Sequence, residues 1–108
     1  MAGVFYEIRR EQAAPGHGAE LAQWMDERVI PLHEAAGMTV VGAFTDADNG
    51  DMFVWIRKFR SPEEKEEIVD RVHRAPVFDA EIVPRMKQLL AGEAVTVRLV
   101  PTAHSRLD

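Results

Sequence analysis

Cysteine is absent from the 108 residues of this chain. That removes disulfides, thiolate nucleophiles and cysteine-based metal sites together, and it is neutral about compartment. An excess of positive charge is missing as well, since 13 Lys and Arg stand against 18 Asp and Glu for a net charge of −5. Nucleic-acid binders draw most of their affinity from clustered cations, so no nucleic-acid partner is expected. No apolar run approaches the roughly 20 residues that span a bilayer, so no membrane partner is expected either. The opening residues, Met-Ala-Gly-Val-Phe-Tyr-Glu, reach charge within seven positions and lack the apolar core of a signal peptide, which points to a cytoplasmic protein.

Signatures of familiar chemistry are equally sparse. The histidines form no His-x-His or His-x-x-x-His pair, which leaves a protein-built zinc site without support. Asp46-Ala47-Asp48-Asn49-Gly50-Asp51 looks superficially like a calcium loop, but its glycine comes one place early and Arg57 stands where a bidentate Glu would be needed. Pro15-Gly16-His17-Gly18 is too short and wrongly spaced to cradle phosphate. No serine-centred nucleophile motif is present. Neither a metal nor an organic cofactor is expected.

What the chain does contain is an ordinary globular composition, 46% hydrophobic and 29% charged, in a length that suits one domain. The organising stretch runs from Asp51 to Glu67. Met52 to Phe59 is rich in β-branched and aromatic residues and reads as a strand, while Ser61, Pro62 and Glu64 form a helix-capping signal. Val4 to Arg10 is an earlier strand. It is followed by a helix from about Gly18 to Ala36, whose apolar residues recur at three- and four-residue steps, with a kink expected at Pro31 and a stop at Gly37. Met38 to Thr45 is a further strand, joined to the organising one by a hairpin loop in which Asn49-Gly50 can take positive φ. A helix from Pro62 to about His73, another from Pro76 with Phe78, Ile82, Met86, Leu89 and Leu90 on one side, and a strand from Ala94 to Val100 complete the domain of residues 1–100. Residues 101–108 read as a tail.

The two halves of this layout resemble each other. Phe5-Tyr6-Glu7-Ile8-Arg9-Arg10 matches Phe53-Val54-Trp55-Ile56-Arg57-Lys58, and Val29-Ile30-Pro31 is echoed by Ile82-Val83-Pro84. Strand, helix, strand, taken twice, is the split β-α-β arrangement: an α+β, ferredoxin-like fold with an antiparallel four-stranded sheet in the order 4-1-3-2 and helices on one side. The aliphatic row Val4, Ile8, Val54 and Ile56 suits the helix side of that sheet. The other face would then carry Phe5, Glu7, Arg9, Phe53, Trp55, Arg57 and Phe59, an apolar patch too large for water. A second copy, sheet against sheet, would cover it, so a homodimer through the sheet face is expected. A one-residue change of register exchanges the two faces.

Taken in order and spacing, Tyr6-Glu7-Ile8-Arg9, Pro15-Gly16, Trp24, Ile30-Pro31-Leu32, Gly37, Gly42, Trp55, Ser61 with Glu63-Glu64, and Pro84 resemble the NIPSNAP family of the dimeric α+β barrel superfamily. The resemblance covers residues 4–100. Phe59 stands where the family leads one to expect Tyr, Phe78 where it has Trp, and Ala75-Pro76 where Asp-Pro is usual. The resemblance implies a homodimer whose sheets close a barrel, with a pocket for a small hydrophobic molecule between the sheet and helices of each subunit. Relatives in the wider superfamily include cofactor-independent monooxygenases, polyketide cyclases, lactone isomerases, dehydratases and haem-degrading proteins.

Candidate site residues follow, each with a plainer alternative. Tyr6, His17 and Arg28 could supply proton transfer and oxyanion stabilisation in such a pocket; otherwise His17 caps a helix end and Arg28 extends to water along its own stem. Trp24 and Trp55 could wall a planar substrate, or serve as core or interface. Arg57, with Glu7 and Arg9, could bind an anionic ligand or pair across the interface. Asp79 could be a base with a raised pKa, or cap the helix begun at Pro76. These residues describe a homodimeric, cofactor-independent enzyme of monooxygenase, cyclase, isomerase or dehydratase type, acting on a hydrophobic carbonyl- or phenol-bearing molecule of secondary metabolism. A non-catalytic dimeric ligand sensor or scaffold is the alternative, as is a haem-handling protein using His17, His33 or His73 as an axial ligand.

Overall fold

Two strands rich in aromatic and branched residues form the centre of the sheet in a computed structural model that describes residues 3–107. They are β1 (Phe5–Gln12) and β3 (Met52–Phe59), paired antiparallel with Ile8 opposite Ile56. Strand β2 (Thr39–Thr45) flanks β3 and β4 (Val95–Leu99) flanks β1, both antiparallel, so the order is β2-β3-β1-β4. This is the expected 4-1-3-2 order read from the opposite edge, and the fold is the α+β, ferredoxin-like one.

Each half of the chain crosses over through a helix that is interrupted in the same way. In the first half, α1 (Gly18–Trp24) runs through a π-turn, Met25–Val29, into α2 (Ile30–Ala35). Pro31 has no N–H to donate, and the Ile30 N–H reaches back five residues to the Met25 carbonyl. In the second half, α3 (Pro62–Arg74) is followed by a π-turn, Phe78–Ile82, and α4 (Val83–Leu89), where the Val83 N–H reaches back to the Phe78 carbonyl just before Pro84. The kink expected at Pro31 is therefore a widened turn, and the repeated Ile-Pro and Val-Pro pairs mark the same device twice.

Local signals explain the element ends. The Ser61 Oγ accepts the Glu64 N–H at 3.0 Å, and the Glu64 carboxylate accepts the Arg60 N–H at 3.0 Å, one residue ahead of the usual reciprocal cap. Helix α1 is capped from a distance: the Asp51 carboxylate takes the Gly16 and Gly18 N–H groups, each at 3.0 Å. The β2–β3 loop differs from expectation, because neither Asn49 nor Gly50 has positive φ. Its tightness comes from side chains instead. The Asp46 Oδ1 accepts the N–H groups of Asp48 and Asn49, and the Asn49 Oδ1 accepts that of Asp51.

The assignment of sheet faces also needs correction. Phe5, Glu7 and Glu11 of β1 and Phe53, Trp55, Arg57 and Phe59 of β3 are all buried, and they pack under the helices with Leu21, Met25, Ile68, Ile82 and Leu89. The aromatic and charged row is thus the core, and the aliphatic row is the open face. Register explains the exchange: Trp55, Phe59 and the aliphatic parts of Arg57 and Lys65 fill the deep space under two helices better than Val54 and Ile56 would, while Glu7 and Arg57 neutralise each other there. The open face keeps an apolar character. Phe44 (54% exposed), Val95 (56%), Val97 and Leu99 lie on it beside Val54, Ile56 and Ile8.

Candidate functional site

A cavity of about 290 Å³ lies between the helix-side row of the sheet and the helices above it. Its roof is built by the repeat. Met25, Val29 and His33 recur every four residues from the first π-turn, and Phe78, Ile82 and Met86 do the same from the second; all six line the cavity. A π-turn spreads side chains at four-residue steps along one face, where an α-helix would rotate them away. The π-turns thus hold two facing ridges over the sheet. Across the top they are tied by the Arg28 Nη2, which donates to the Glu81 Oε1 at 2.6 Å, each residue being fourth in its own turn. A further pair, Arg85 to Glu20 at 2.8 Å, joins α4 to α1.

Charge is concentrated on the sheet side, in and behind the cavity wall. The Glu7 carboxylate, 1% exposed, accepts from the Arg57 Nη2 at 2.6 Å, the Lys65 Nζ at 2.5 Å and the Arg98 Nη2 at 3.3 Å. Burial pushes its pKa up, but the hydrogen bonds and charges of Arg57 and Lys65 outweigh that and hold it below the usual carboxylate range. Four residues further along β1, the Glu11 Oε2 accepts from the Arg9 Nε at 2.8 Å and the Trp55 indole N–H at 3.1 Å. The Arg57 guanidinium lies 5.0 Å from the Trp55 ring centre and 5.6 Å from that of Phe59. Burial lowers the Arg57 pKa while Glu7 opposes the change, and the group stays a cation. Its buried Nε has no hydrogen-bond partner among the described residues.

His33 is the one cavity residue whose protonation is set by its surroundings in a useful way. Its Nδ1 lies 2.7 Å from the Val29 carbonyl oxygen, which can only accept, so Nδ1 carries hydrogen and the neutral ring presents Nε2 as an acceptor. Burial lowers its pKa, and the nearby charges of Arg57, Arg9 and His73 act in the same direction, against the pull of the Val29 hydrogen bond. The ring stands edge-on to Trp55 at 5.3 Å.

The residues proposed from sequence fall into separate places. Trp24, Trp55 and Arg57 line the cavity together. Tyr6 is buried on the opposite face of the sheet, where it borders a different cavity shared with Ile8, Ile56 and tail residues from Val100 to Leu107. His17 sits before α1 with its ring half exposed and its Nδ1 2.8 Å from the Glu20 carboxylate. Arg28 is on the outer side of its π-turn, with its side chain 52% exposed. Asp79 is exposed in the second π-turn. Glu11 and Lys65 line the cavity without having been singled out as site residues, and His33, considered only as an axial haem ligand, lines it too. The signal that finds His33 is the repeat: it stands two places after Pro31, where the second half has Met86 two places after Pro84.

No protein-family model and no curated protein matches the chain. Solved structures do. A NIPSNAP family protein of unknown function from Agrobacterium tumefaciens superposes with a TM-score of 0.86 at 21% identity, over 99% of this chain and 96% of that one. An uncharacterized NIPSNAP-like domain protein from Burkholderia xenovorans gives 0.84 at 18% identity, over 97% and 90%. A Mycobacterium tuberculosis protein is more distant, at 0.64 and 19% identity over 94% and 98%. At these identities the likeness speaks for architecture, and the architecture of this chain is that of the NIPSNAP-like proteins.

Proposed function

We propose that this chain is a NIPSNAP-type homodimer that binds a small hydrophobic molecule between sheet and helices, and that it acts on a carbonyl- or phenol-bearing compound without an organic cofactor. The observation that carries this reading is the cavity itself. Its apolar walls, from Trp24, Met25, Trp55, Phe78 and Ile82, meet a few fixed polar groups, which is the composition of small-molecule sites in general. An engineered cavity of ~150 Å³ holds one benzene, so about 290 Å³ suits one or two fused rings and not a porphyrin. The dimer is supported by the open face, where exposed Phe44 on one edge and Val95, Val97 and Leu99 on the other flank Val54, Ile56 and Ile8, a face that a second sheet would cover.

The test is ligand-dependent melting across a panel of small phenols, aromatic ketones and 1,3-dicarbonyl compounds, with Met86→Trp as a variant that fills the cavity. Binding to the native state raises its stability by about 2.7 kcal/mol at a hundredfold excess over Kd. A shift seen with wild type and lost in Met86→Trp supports the site; no shift with any compound overturns it. Consumption of a bound compound separates an enzyme from a sensor that binds without turnover.

A further inference from the structure

Two residues that line the cavity bring polar groups of opposite kind. Arg57 brings a guanidinium whose Nη2 donates to Glu7, and His33 brings a ring whose Nδ1 is committed to Val29, leaving Nε2 as an acceptor. Both groups pack on Trp55, the imidazole at 5.3 Å and the guanidinium at 5.0 Å from the indole ring. The charged and titratable groups around the cavity are Arg9 and Glu11 from β1, Arg57 from β3, and Lys65 and His73 from α3. Even after Glu7 is shared among Arg57, Lys65 and Arg98, and Glu11 is paired with Arg9, this wall carries more cations than carboxylates.

We infer that the cavity takes a weakly acidic ring compound and ionises it, with His33 Nε2 receiving the proton of a phenolic O–H or an α-C–H and the Arg57 guanidinium stabilising the oxyanion that remains. This deepens the small-molecule reading above and rests on it. The O–H or C–H bond breaks, its electron pair stays on the ligand as phenolate or enolate, and its proton forms a new N–H bond on His33. Imidazolium and oxyanion then balance, so the cavity changes no net charge. The cations that disfavour protonated His33 in the empty cavity are the same ones that favour the ligand anion, which couples the two events.

The experiment uses 4-nitrophenol, whose ionised form absorbs visible light, titrated by pH in the presence of excess protein while calorimetry reports binding separately. The expected result is an ionisation constant for bound nitrophenol at least about tenfold above that of the free compound, which is one pKa unit. His33→Gln should still bind it and lose most of the increase, keeping only what the Arg57 cation supplies. Arg57→Met should weaken binding of the ionised form most; if that variant fails to fold, His33→Gln decides alone. Nitrophenol bound in its neutral form, or ionisation kept in full by His33→Gln, would overturn the proton-transfer role while leaving the cavity a binding site. No binding at all, at any pH, would remove both the inference and the reading beneath it.

Discussion

Glu7→Gln is the substitution that probes the buried ion pairs behind the cavity most directly. It keeps the shape of a side chain that is 1% exposed and deletes the single negative charge shared by Arg57, Lys65 and Arg98. Removing one partner of a buried pair costs about 3–5 kcal/mol, because the other charge is left without compensation. Two of the three cations can relax: the Lys65 and Arg98 side chains are 27% and 49% exposed and can turn toward water. Arg57, at 5%, cannot. The loss should therefore fall near the lower end, about 3 kcal/mol, and at ~4 °C per kcal/mol for a domain of this size Tm should drop by roughly 12 °C. Arg98→Met, which removes only a half-exposed partner, should cost at most about 1 kcal/mol. The Glu7 carboxyl titrates below its usual range in the native state, so its stabilisation is complete above the unfolded-state pKa of ~4.3 and is lost as pH falls through the lower native value. Wild type should accordingly lose stability more steeply than Glu7→Gln as pH falls below about 4. The assay is thermal unfolding by circular dichroism from neutral to acid pH, at one protein concentration because dimerisation would shift Tm. Equal losses for Glu7→Gln and Arg98→Met, or identical acid slopes for wild type and Glu7→Gln, would refute the view of Glu7 as the buried counter-ion.

Gly18→Ala places a Cβ 1.8 Å from the Gly50 carbonyl oxygen, so α1 must move off the β2–β3 loop and its Asp51 cap must loosen. The expected loss is about 2–3 kcal/mol in urea unfolding, against about 1 kcal/mol for Gly16→Ala, which has positive φ but nothing within 4 Å; similar values for both would show that the loop contact is not tight. Phe44→Asp puts a charge on the open face of the sheet, where it should abolish the proposed dimer, as read by sedimentation equilibrium, while circular dichroism shows the fold intact. An unchanged dimer would move the interface elsewhere.

Much of the architecture was legible in the residues because it is written in local chemistry. The strand at Met52–Phe59, the Ser61 cap with Pro62 and the stop at Gly37, where φ is +106°, each depend on a few neighbouring groups. The repeated Val-Ile-Pro and Ile-Val-Pro segments likewise announced a disturbance in two helices, since a missing N–H has the same effect wherever it occurs. The size of the disturbance was not legible. Leu32 packs against the core as its spacing suggests, but the π-turn delays the rotation enough to bring His33 over the cavity as well, beside Val29.

The two faces of the sheet show the same division. Alternation along β1 and β3 determined which residues travel together, Glu7 with Arg9 and Trp55 with Arg57, because a strand's side chains alternate whatever surrounds it. Which of the two rows went under the helices was decided only in the tertiary structure. Both rows are apolar enough to be covered, so hydrophobicity could not choose between them. The choice lay with ion pairs formed between segments far apart in the chain, Glu7 with Arg57 and Lys65, and with the volume left beneath two widened helices, which the aromatic row fills.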